Sequence, residues 1–134
     1  MSDKIEDLWP ELIPAAIVTP KSILKTQVTA LEQKSNGLLH GQVETWTNGD
    51  RIYHRFYLVV PALENYRYSL LRIHHSASAY PVSVDESPIR EEADFIRPWP
   101  MLPDESSFRN WLRNVFSSDE TKRVLESLLA QATV

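Results

Sequence analysis

Between Leu38 and Val60 two alternating stretches meet at Asn48-Gly49, a dipeptide that accepts the positive φ angles of a tight hairpin turn. No other feature restricts this chain as strongly, because a hairpin register assigns every side chain along both strands to one face or the other. With Asn48-Gly49 as a two-residue loop, Thr47 faces Asp50. The pairs that follow are Thr45 with Ile52, Val43 with His54, Gly41 with Phe56 and Leu39 with Leu58, which together make a coherent inner face. A three-residue loop ending at Asp50 pairs Val43 with Arg55 and mixes the faces, which burial of one face forbids. The two-residue loop is expected, and Gly41 opposite Phe56 implies that the ring needs the space.

The same register writes out the other face: Trp46 beside Arg51, Glu44 beside Tyr53, Gln42 beside Arg55, and His40 beside Tyr57. Trp46 with Arg51 suits a cation–π pair, and Glu44 lies diagonal to Arg51 and Arg55. A third antiparallel strand is expected over Tyr66 to His75, which is rich in strand formers. Turning Leu71 and Ile73 inward places Tyr66, Tyr68 and Arg72 outward. The candidate binding surface is therefore Trp46, Arg51, Tyr53, Arg55, Tyr57, Tyr66, Tyr68 and Arg72, residue types enriched where proteins bind one another.

The other elements follow from caps and periodicity. Thr19-Pro20 starts a helix that runs to about Ser35, with Leu24, Val28 and Leu31 on one face and Ile23 beside them, and Asn36-Gly37 ends it. A short fourth strand near Ala79 to Val84 carries Pro81 and so belongs at a sheet edge. Asp85 to Pro103 reads as a proline-rich connection without regular structure. Asp104 caps a helix with Phe108, Trp111, Leu112, Val115 and Phe116 on one face. Ser117 to Glu120 fits a capping box for a last helix bearing Val124, Leu125, Leu128 and Leu129. Ahead of all this lies an arm, about residues 1–18, whose Trp9, Leu12 and Ile13 are expected to pack into a core groove. The fold class implied is α+β: an N-terminal helix, a four-stranded antiparallel meander, and a C-terminal helical hairpin packed on one sheet face, within a single domain of 134 residues.

Composition narrows function by exclusion. A formal net charge of -4 argues against non-specific nucleic-acid binding. The chain has no Cys, which removes disulfides and thiolate chemistry and fits a cytoplasmic location. The mixed-charge start lacks the order of a signal peptide, and no apolar run approaches a membrane span. With only Gly37, Gly41 and Gly49, no phosphate loop or dinucleotide fingerprint can be built. No serine sits in a nucleophile elbow.

The histidines and carboxylates receive structural readings. His54 faces inward as a hydrogen-bonded core imidazole, and His74-His75 point to opposite faces and cannot share a metal ion without a bulge. Glu91-Glu92 with Asp94, and Asp119-Glu120, are solvated or dipole-complementing charges. Pro98-Trp99-Pro100 packs Trp99 on its own domain rather than docking a partner. No cofactor, metal or catalytic residue is assigned. The leading functional expectation is a non-enzymatic protein-binding or accessory domain that uses the aromatic and Arg-rich sheet face against a protein partner or a second copy. The alternatives are a small-molecule pocket or enzyme near His54, and single-stranded RNA binding to the same face.

Overall fold

A computed structural model describes residues 5–89 and 100–134. The element order is α1 (Pro20–Lys34), β1 (His40–Asn48), β2 (Arg51–Val60), a 3-10 turn (Pro61–Leu63), β3 (Tyr66–His75), β4 (Val82–Glu86), β5 (Met101–Leu102), α2 (Glu105–Phe116) and α3 (Asp119–Ala132). The fold is α+β. Its sheet is an antiparallel meander in the order β1-β2-β3-β4-β5, so it has five strands rather than four. The extra strand comes from the segment read as an irregular connection: Leu102 pairs with Val82 and Met101 with Ser83. Pro81 falls just before β4, where its missing donor costs no ladder bond.

Local chemistry sets the helix ends. Thr19 Oγ1 accepts from the Ser22 N–H and Pro20 occupies the first helical position. At the other end Asn36 adopts φ 52°, and the Gly37 and Asn36 amides donate to the Glu32 and Gln33 carbonyls, the paired bonds of a Schellman stop. The Ser35 hydroxyl then bonds both the N–H and the carbonyl of Leu39, which fixes where β1 begins. Asp104 and Ser107 form a reciprocal capping box on α2, and bonds from Ser107 hold the Asp104 carboxyl below its usual range. For α3 the cap is Ser118, which accepts from the Thr121 N–H, rather than a box from Ser117 to Glu120.

The hairpin keeps its predicted faces but not its predicted partners. Its two-residue loop is Gly49-Asp50, with φ 62° at Gly49, and Asn48 remains in the strand opposite Arg51. A glycine with positive φ at the first loop position is the II′ pattern. The pairs are accordingly Thr45 with His54, Val43 with Phe56 and Gly41 with Leu58. Both versions have two-residue loops, so parity is preserved and the inner set is unchanged.

That inner face carries the core. Phe56, Leu58, Val60, Leu71, Ile73, Val82 and Val84 from the sheet meet Ile23 and Leu24 of α1, Phe108, Leu112 and Val115 of α2, and Leu128 of α3. The Phe56 ring lies 5.8 Å from Phe116 and reaches sideways to Gly41. A Cβ on Gly41 would stand 2.9 Å from Phe56 Cζ and 3.0 Å from the Val28 Cα, so glycine is what lets α1 close on β1.

The arm is the largest departure. Leu8, Trp9, Leu12 and Ile13 are 72–82% exposed, so they do not fill a core groove; at the root of the arm the Tyr80 hydroxyl donates to the Val18 carbonyl at 2.8 Å. Among the described residues no helix is long and apolar enough to cross a membrane. Glu91, Glu92, Asp94, Pro98 and Trp99 lie outside the described residues.

Replacing Gly41 with Ala is expected to destabilise the protein by about 1–3 kcal/mol through overpacking against Phe56 and Val28. Urea unfolding of the variant measures this, and an unchanged midpoint would show that α1 is free to shift.

Candidate functional site

The outer sheet face is built from alternate residues of four strands, and its hydrogen bonds, ion pairs and ring contacts from Gln42 to Glu86 are made within the sheet. Trp46, opposite Tyr53, stacks on it at 5.5 Å and 11°. Tyr53 in turn stacks on His74 at 4.9 Å. Arg51 does not lie over Trp46 as expected. Its Nε donates to His74 Nδ1 at 3.0 Å, which gives the guanidinium a directed acceptor in place of a ring face.

A row of alternating charges crosses the sheet from there. With Nδ1 accepting from Arg51, His74 carries its proton on Nε2 and donates to Asp85 Oδ1 at 3.1 Å. Burial holds the His74 pKa below its ordinary value against the pull of Asp85, which is consistent with a neutral ring. Arg72 contacts Asp85 at 3.4 Å and Glu86 at 3.4 Å. Arg55 reaches Glu86 at 3.3 Å and donates to Ser69 Oγ at 2.7 Å. Glu44, opposite Arg55, stands outside this row. The pairs around Asp85 are largely buried, with the His74 and Asp85 side chains 20% and 19% exposed, and the row fixes side chains that would otherwise sample many rotamers.

Tyr57 stands between two guanidinium groups, with Arg67 4.2 Å and Arg55 6.0 Å from its ring centre. Arg67 was not assigned to this face by alternation, and its presence has the same cause as the absence of Tyr66 and Tyr68. The β2–β3 register shifts between Phe56 and Tyr57: Phe56 pairs with Leu71, but Tyr57 pairs with Ser69 and Leu58 with Tyr68. Leu70 is the extra residue, and the bulge lets Leu70 and Leu71 both be buried. Beyond it the faces exchange. Tyr66 and Tyr68 turn to the inner side, where they line a cleft with Leu63, Val124 and Leu128, and Arg67 and Ser69 turn outward. The signal was in the sequence: apolar or aromatic residues fall at 66, 68 and 70, then at 71 and 73, a change of phase at one step.

Trp46, Arg51, Tyr53, Arg55, Tyr57 and Arg72 thus share one surface, joined by Arg67, His74, Asp85 and Glu86. Its charges are near balance, with Arg51, Arg55, Arg67 and Arg72 set against Glu44, Asp85 and Glu86.

On the opposite face, His54 and His75 form a buried pair, 2% and 6% exposed. The Ser76 carbonyl can only accept, so His75 Nδ1 donates to it at 2.6 Å. The His75 Nε2 therefore accepts from His54 Nε2–H at 2.8 Å, and His54 Nδ1 accepts from the Thr45 hydroxyl at 2.9 Å. Every ring nitrogen is satisfied with both rings neutral. Burial, then His75, then the charge of Lys21 push the His54 pKa down to about 4. His74 and His75 point to opposite faces, and the described residues contain no group of three His, Cys, Asp or Glu positioned to hold a metal ion. The clefts beside the helices are lined by other residues, among them Ile23, Gln27 and Leu112.

No protein-family model, curated protein or solved structure matches the chain.

Two measurements check this geometry. Asp85→Asn removes the charge shared by His74 and Arg72 and is expected to cost about 1–2 kcal/mol in urea unfolding. For His54, the unfolded ring titrates near 6.5 and the folded one near 4. Above pH 6.5 neither state binds the proton and His54 costs nothing; as pH falls from 6.5 to 4 only the unfolded state takes it up. Stability is thus expected to fall across that window by about 3 kcal/mol from this group, and His54→Gln should remove that part of the slope.

Proposed function

We propose that the protein is a non-enzymatic binding or accessory domain that engages a protein partner through the outer sheet face. One observation carries this reading: the face presents Trp46, Tyr53 and Tyr57 among guanidinium groups while α1, α2 and α3 give their buried side chains to the other side of the sheet. Aromatic and Arg side chains anchor protein interfaces, and side chains already held in place lose less entropy on binding.

Near charge balance favours a protein surface over a polyanion, since RNA binding draws on a large excess of cations and this face sets four guanidinium groups against three carboxylates. The His54 environment gives little support to a pocket or an enzyme, because its ring nitrogens are engaged by Thr45 and His75. A cytoplasmic setting fits the absence of Cys.

Trp46→Ala combined with Tyr57→Ala tests the reading. Partner capture by the variant is expected to weaken at least tenfold, equivalent to about 1.4 kcal/mol, with its unfolding midpoint little changed. Equal capture of the same partner by both proteins would refute it.

A further inference from the structure

A second surface, independent of the sheet face, combines two features that have no partner among the described residues. The arm carries Leu8, Trp9, Leu12, Ile13 and Ile17, all 61–82% exposed. Glu6 and Asp7 precede them and Glu11 stands among them, and residues 5–18 include no Lys or Arg. Across the molecule, the three helices leave a cleft of about 310 Å³ over the inner face of the sheet. Phe56, Leu58, Leu70, Leu31, Phe116 and Leu125 line it. Through Gln27, Lys34 and Phe116 it continues into a cleft of about 360 Å³ between α1 and α2, edged by Arg109 and Arg113.

We propose that the arm of one copy lies in this groove of a second copy, reciprocally, so that the protein forms a two-fold arm-exchanged dimer. The apolar side chains of the arm match an apolar floor. Its three carboxylates match a rim of three cations, of which Arg109 is already paired with Glu105 while Lys34 and Arg113 make no ion pair among the described residues. The arm does not lie on its own body, and its root is tied by Val18 to Tyr80. Since each chain carries both the insert and the receptacle, two copies satisfy each other and the assembly closes. The size also fits: each arm offers roughly 600 Å² of apolar side chain. Two arms in two grooves would bury roughly 2,000 Å², the scale of a stable interface.

Sedimentation of the full chain across roughly a hundredfold range of concentration tests the proposal. The wild type is expected to be a dimer at the upper end. Trp9→Ser with Leu12→Ser, both exposed and remote from the core, is expected to raise the dissociation constant at least tenfold without moving the unfolding midpoint. Arg113→Glu should weaken the dimer in the same sense, and high salt should act likewise. Trp46→Ala with Tyr57→Ala should leave it intact. A monomer throughout the range, a dimer that survives the arm substitutions, or a dimer lost only with the sheet-face substitutions would each overturn the proposal.

Discussion

The burial of one ring, Phe56, ties the layers of the molecule together. It lies in the second strand between Val43 and Leu71, meets Phe116 from α2, and reaches Gly41 and Val28, where α1 crosses β1. Few side chains other than an aromatic are wide enough to touch two helices and three strands at once, and such a contact holds through dispersion and exclusion of water rather than through direction. The helices are therefore drawn to the inner face, and the opposite face is left to polar and aromatic groups that arrange themselves by hydrogen bonds and ion pairs.

The two faces thus obey different physics. Inside, His54 and His75 fit among apolar groups because each ring nitrogen finds a partner with no net charge, the condition under which polar groups are buried at small cost. Outside, charge is tolerated because guanidinium and carboxylate groups alternate from Arg51 to Glu86 and pair with one another. A neutral His74 in the middle of that row links Arg51 to Asp85 without adding a like charge.

What the sequence made legible were features governed by neighbours along the chain. Thr19-Pro20, Asn36-Gly37 and Asp104 act through bonds a few residues long, so their helices could be placed. The hairpin faces were readable because parity survives a slide of the loop from Asn48-Gly49 to Gly49-Asp50, whereas the individual partners were not. The strand at Met101–Leu102 is two residues long and exists because β4 offers it an edge, a tertiary cause with almost no local trace. For the arm, the rule that large apolar groups are covered fails among the described residues, where Leu8, Trp9, Leu12 and Ile13 stand exposed.

The bulge at Leu70 makes β3 a strand of two allegiances. Its first half belongs, through Tyr66 and Tyr68, to the cleft beside α3, and its second half, through Arg72 and His74, to the open sheet face. One residue is all that separates these assignments. Losing the codon for Leu70 would set Ser69 beside Leu71 and leave a plain alternation with the tyrosines still inward and Arg67 still outward, so a small deletion at this one point would cost a buried leucine and the bulge without exchanging core for surface.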